Sequence, residues 1–261
     1  MRLRCLITLA LILPAMAQAD RNIGWQTFSA ETTESSSVTL GAEYLDGRNI
    51  EALAYDGVTV NAPQIQLNVR LGDRGEAYLG HTVLRTLRGD DVDNGTNGGD
   101  PWFYTKIQMS EERGLWPATA FIWGVLEPAA NQPFGADNLA FYTFLAFSKR
   151  FDAVRLDVNT GIGIYEDAVE GQQSDVAKLS LALWYEPPGE VWAVAAEYNY
   201  DEQVTGSWYD FTQGTETEYR RRRIAVSGQY GETWQGFARG SLGLVEQSER
   251  FGLSAGVRYV W

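Results

Sequence analysis

From Phe251 to Trp261 every second side chain is apolar (Phe251, Leu253, Ala255, Val257, Tyr259, Trp261), while Gly252, Ser254, Gly256, Arg258 and Val260 fill the positions between, a set that is mostly polar or small. A period of two describes a strand with one apolar and one polar face. The pattern recurs where Ile65, Leu67, Val69 and Leu71 alternate with Gln64, Gln66, Asn68 and Arg70. It recurs again where Val154, Leu156, Val158, Ile162 and Ile164 alternate with Arg155, Asp157, Asn159, Gly161 and Gly163. Together such runs predict twelve strands, at about residues 36–45, 63–71, 76–87, 102–109, 117–126, 139–148, 153–165, 175–185, 191–200, 217–229, 234–245 and 250–261.

The alternation alone fits a soluble β-sandwich as well as a barrel whose apolar rows face lipid. The links decide between them. Those after strands 2, 4, 6, 8 and 10 are short, and those after strands 1, 3, 5, 7 and 9 are long; only the final hairpin breaks the rule. Short periplasmic turns opposite long extracellular loops are the outer-membrane arrangement. The expected fold is therefore all-β: a single antiparallel transmembrane up-and-down β-barrel of about 12 strands, with both termini periplasmic.

The chain opens on Met1-Arg2-Leu3-Arg4, continues through an apolar run to Met16, and reaches Ala17-Gln18-Ala19 before Asp20. This is the plan of a cleaved signal peptide. The expected organisation is a signal peptide at 1–19, an N-terminal periplasmic segment without a plug at 20–35, and the barrel at 36–261. Cys5 is the single cysteine, so the mature chain has no disulfide. At the other end, Phe251, Leu253, Val257, Tyr259 and Trp261 resemble the C-terminal assembly signal of bacterial outer-membrane barrels. That resemblance implies recognition by the barrel-assembly machinery.

Without residues 1–19 the net charge moves from −13 to about −15, which excludes nucleic acid as a natural partner. The six extracellular segments, the five long links and the short final hairpin at 246–249, carry 18 acidic residues against Arg48 and Arg88, so the charge sits at the mouth. Acidic loops there are expected to meet divalent ions and neighbouring lipopolysaccharide, while aromatics near strand ends meet outer-membrane lipid.

Three constellations offer chemistry. His81 is the only histidine, and no serine lies close to it in sequence, so a hydrolase would require it to face the lumen beside an acid and a hydroxyl. The run Asp90 to Asp100 offers Asp91, Asp93 and Asp100 as oxygen ligands for a divalent cation, but lacks the closing Glu of a complete calcium loop. The third lies inside the barrel. If the apolar rows face lipid, then Arg155, Asp157, Asn159, Lys178, Glu197, Arg221, Arg223, Arg239 and Arg258 line the lumen, either as a charged pore or as a salt-bridged plug.

Two stretches resemble the transporter family of the meta-cleavage pathway of phenol degradation. One runs from Ala62-Pro63-Gln64 through Arg70-Leu71-Gly72-Asp73-Arg74-Gly75-Glu76. The other comprises Pro117-Ala118-Thr119-Ala120 through Pro128, Phe141 to Lys149, and Val158-Asn159-Thr160-Gly161-Ile162-Gly163. The resemblance implies an outer-membrane channel for passive passage of small solutes, small aromatic compounds among them, with no cofactor and no enzymatic activity. The competing expectation is a structural or surface-interaction barrel closed to solutes.

Overall fold

A computed structural model describes residues 26–47, 57–89, 94–130, 134–135, 139–166, 173–203, 220–245 and 248–261, apart from the side chains of 165–166, 173–174, 203 and 220. Among these residues fourteen strands form one antiparallel sheet: β1 (Ser37–Asp46), β2 (Gly57–Leu71), β3 (Gly75–Thr82), β4 (Arg85–Gly89), β5 (Gly95–Asn97), β6 (Pro101–Ser110) and β7 (Ala118–Leu126). The series continues with β8 (Ala140–Phe151), β9 (Val154–Glu166), β10 (Gln173–Tyr185), β11 (Trp192–Gln203), β12 (Arg220–Tyr230), β13 (Trp234–Gly243) and β14 (Phe251–Val260). Twelve of them close into a ring, because β1 pairs with β2 on one side and with β14 on the other. Within that ring no strand edge is left for lipid, where unpaired backbone groups have no water to satisfy them.

The two extra strands come from one kinked hairpin. The expected strand 76–87 divides into β3 and β4, which pair with the lower and upper parts of β2. Pro63 has no N–H to give the ladder. The chain bulges at Val83 and Leu84 opposite it, and Ala62 N donates to Leu84 O while Val83 N donates to Pro63 O. Above this break β4 and β5 continue as an extension, which is also why β2 starts six residues earlier than the alternation suggests.

Burial is inverted relative to a soluble protein. Leu40, Leu71, Leu79, Ile107, Leu145, Leu183 and Leu253 are exposed, whereas Glu76, Lys106, Arg155, Asp157, Glu197 and Arg239 are buried. A sandwich in water would hide its leucines, so this distribution places the apolar rows against lipid and the polar rows in the lumen. Exposed Phe151, Tyr185, Tyr230, Trp234 and Trp261 mark the periplasmic end, with the Tyr259 ring 4.8 Å from Trp234 and 5.9 Å from Trp261. At the opposite end Tyr44 stacks on Phe251, and Arg222, on the outward row, lies over the Tyr200 ring. Gly231 turns the tight β12–β13 link at φ 119, and a Cβ there would sit 1.9 Å from Trp234 O.

The periplasmic link 111–117 holds Leu115 and Trp116 out at its tip and is tied down by Glu112. Glu112 accepts from Lys149 Nζ at 2.5 Å and from Arg150 N at 2.9 Å. Burial pushes this carboxyl up, but those two hydrogen bonds and the charges of Lys149 and Arg150 outweigh burial and hold it below the ordinary carboxylate value. A depressed native pKa contributes stability that is present above the unfolded carboxylate range and lost as pH falls through the native value. Amide protection across 111–117 should therefore stay level from neutral pH to about pH 5 and fall below about pH 4. Glu112→Gln should abolish that acid dependence, and an unchanged profile would contradict the tether.

The largest departure from the sequence expectation is at the N-terminus. Residues 26–35 do not lie in the periplasm; they run into the barrel and occupy its lumen. Ser36 sits at the periplasmic rim, exchanging backbone hydrogen bonds with Trp261 at 3.2 and 3.1 Å. Phe28, eight residues earlier, is 1% exposed among wall residues. Residues 20–25 lie outside the described residues. We refer to 26–35 as the strap.

Candidate functional site

The wall is built to receive the strap. On the strand pairs β3–β6, β6–β7 and β8–β9 an inward glycine faces an aromatic directly across the ladder: Gly80 and Trp102, Gly124 and Tyr104, Gly161 and Phe144. A Cβ on these glycines would lie 2.0, 2.3 and 2.7 Å from the ring concerned. The rings therefore lie down over the glycines. Phe28 fills the space this leaves, its ring centroid 5.5 Å from Tyr78, 5.4 Å from Tyr104 and 6.3 Å from Phe144.

Polar side chains of the wall then pair with the strap backbone, which would otherwise be buried without partners. Asn159 uses both ends of its amide: Oδ1 accepts from Phe28 N at 2.6 Å and Nδ2 donates to Phe28 O at 2.8 Å. Ser148 Oγ accepts from Ala30 N at 2.7 Å and donates to Asp157 at 2.5 Å. Lys106 Nζ donates to Ser29 O and Glu31 O at 3.1 and 2.7 Å. Its charge is matched by Glu76 at 2.9 Å, which itself accepts from Tyr78 and from Thr33 N. On the far side, Glu197 accepts from Gln26 N, from Thr27 N and Oγ1, and from Arg239 at 3.0 Å. The strap thus crosses the lumen from β2, β3 and β6 to β11.

All nine residues assigned to the lumen wall by alternation lie on the inward rows: Arg155, Asp157 and Asn159 on β9, Lys178 on β10, Glu197 on β11, Arg221 and Arg223 on β12, Arg239 on β13 and Arg258 on β14. Several are joined in ion pairs. Arg155 bridges Asp157 and Glu186 at 3.1 and 3.0 Å and lies over the Trp184 ring. Lys178 meets Asp201 at 2.9 Å and Arg223 meets Glu249 at 3.1 Å. Asp201 and Glu249 therefore do not belong to a solvated acidic mouth; they turn inward and pair with lumen cations. Among the described residues the inward rows of β12, β13 and β14 hold arginines and no carboxylate.

The terminal apolar residues Phe251, Leu253, Val257, Tyr259 and Trp261 form the outward row of β14. His81 shares the outward row of β3 with Leu79, away from the lumen, so the arrangement a wall hydrolase needs is not formed around it. Asp91 and Asp93 lie outside the described residues. Asp100 is buried, and its Oδ1 accepts from Ala129 N and Ala130 N at 2.9 Å each. It anchors the β7–β8 link. Among the described residues no group of three acidic, histidine or cysteine side chains is placed to hold a metal.

Sequence reasoning did not find Glu76, Lys106, Gln108 and Ser148. Glu76 and Lys106 face each other directly across the β3–β6 ladder, so a fixed register would have exposed the pair. The strap left no such signal, since Gln26 to Ser36 is polar, lacks alternation and reads as a solvated tail.

Closed ring, lipid-facing apolar belt and polar interior define the chain as a β-barrel of the bacterial outer membrane. Solved structures share this fold. The COG4313 outer membrane channel from Pseudomonas putida F1 superimposes with a TM-score of 0.66 at 11% identity, over 89% of this chain and 98% of that one. The NanC porin superimposes with a TM-score of 0.58 at 7% identity, over 85% and 98%. No family model matches the sequence, and no curated protein matches it.

Proposed function

We propose that this barrel is a passive outer-membrane channel for small solutes, held closed by its own N-terminal strap. The observation that carries the reading is the construction of the strap site. Phe28, Glu76, Lys106, Ser148, Asn159 and Glu197 hold ten residues of chain across a lumen that twelve strands would otherwise leave far wider. The similarity to two channel structures supports it. Small aromatic compounds are the solutes we favour, because withdrawal of Phe28 would uncover the faces of Tyr78, Tyr104 and Phe144. Export by residues 1–19, recognition of the β14 outward row by the assembly machinery, and contact of the acidic loops with lipopolysaccharide complete the reading.

The packed lumen also favours a second reading, a barrel that never conducts and serves as a surface or structural element. Planar-bilayer recording separates the two. Phe28→Ala removes a buried aromatic, a change of about 3–5 kcal/mol, and should convert rare, brief openings of the parent into sustained ones. Silence in both proteins would establish the closed barrel.

A further inference from the structure

The inward arginines of the last three strands are not scattered. Gln235 pairs in register with Arg258, Ser227 with Arg239, and Asn199 with Arg223. Going from Arg258 to Arg239 moves four residues along the ladder and one strand across, and going from Arg239 to Arg223 repeats that step. Each step is roughly 13 Å along the strand and about 4.8 Å across. The guanidinium-bearing positions thus form a staircase from the periplasmic end, beside Thr39, toward the extracellular end.

Beside each arginine stands a buried neutral side chain with a polar atom that no group among the described residues satisfies. These atoms are both amide atoms of Asn199, Oγ of Ser227 and Oε1 of Gln235. The residues are 1%, 6% and 6% exposed. A buried polar atom without a partner costs stability, so four of them, on three residues at matching positions beside three cations, call for an occupant. The occupant's chemistry follows from the atoms. Arginine forks match carboxylates. Gln235 Oε1 and Asn199 Oδ1 are acceptors only, so chloride cannot satisfy them and a hydroxyl can.

We infer that the lumen face of β11–β14 is a stepped binding track for small hydroxylated organic carboxylates, which pass from one arginine and its neutral neighbour to the next. This rests on the channel reading and refines it by naming the charge and the hydrogen-bonding character of the solute, so that the aromatic compounds favoured above narrow to aromatic hydroxy acids and are joined by sugar acids. The ion pairs of Arg239 with Glu197 and of Arg223 with Glu249 fit the role. They also temper the positive field, so that a solute binds and still leaves.

The test uses full-length Phe28→Ala in planar bilayers. Under a potassium chloride gradient the reversal potential should show anion preference. Added gluconate should block transiently at concentrations where propionate, a carboxylate without hydroxyls, does not. Arg258→Gln should weaken gluconate block by roughly tenfold, the weight of one charge-assisted hydrogen bond, and Arg258→Lys should retain most of it. Ser227→Ala and Asn199→Ala should weaken block while leaving heat stability unchanged or higher, a combination that a purely structural role would not produce. Conductance with cation preference, or equal block by gluconate and propionate, would overturn the track and leave the channel standing. Absence of conductance from every variant would overturn both.

Discussion

Removing Tyr259, Val260 and Trp261 should leave almost no folded protein in the membrane. Tyr259 and Val260 pair with Val38 and Ser37 across the β1–β14 seam, and Trp261 closes the seam through its backbone bonds with Ser36. Without them the lower seam opens, and each backbone group exposed to hydrocarbon costs several kcal/mol. The same cut removes the Trp234–Tyr259–Trp261 ring stack from the periplasmic interface. Heat-modifiable mobility and protease resistance of membrane fractions read the outcome, and normal amounts of resistant protein would refute the seam's role.

Lys106→Met should be the most damaging single change inside the lumen, because Glu76 and Lys106 are both 0% exposed and each is the other's charge partner. Loss of one member leaves an uncompensated buried charge, at about 3–5 kcal/mol. It also strips Ser29 O and Glu31 O of their shared donor, so the strap loosens along with the wall. The double variant Glu76→Gln, Lys106→Met should recover much of that stability, since no lone charge remains, yet should not restore strap closure. Urea midpoints of the two single variants and the double separate these contributions. Additive single and double effects would show that the pair is not coupled.

The barrel was legible in the sequence because its determinant is local and repetitive. Rows such as Ile65 to Leu71 and Phe251 to Trp261 state which face meets lipid, and the parity of a strand then places Arg155, Glu197 and Arg239 inside without further information. The kink at Pro63 and Val83 escaped because it depends on which residues of two strands stand opposite, and alternation does not report register. The strap escaped for a deeper reason. Thr27, Phe28 and Ala30 bond to residues 170, 131 and 118 positions away. Nothing in a polar stretch such as Gln26 to Ser36 distinguishes a tail in water from a backbone matched to a polar cavity. For the same reason Asp201 and Glu249 read as mouth charges, although Lys178 and Arg223 draw them inward.

Strap closure is the central claim, and locking the strap tests it most directly. Ala30 N lies 2.7 Å from Ser148 Oγ, so cysteines at both positions would be neighbours in the buried lumen, and Cys5 is the only native cysteine. Single-channel recording of full-length Ala30→Cys, Ser148→Cys should show no openings when oxidised and a return of parent-like openings on reduction of the same membrane. Equal conductance in the oxidised and reduced protein would mean that solutes pass without moving the strap, and would contradict the account.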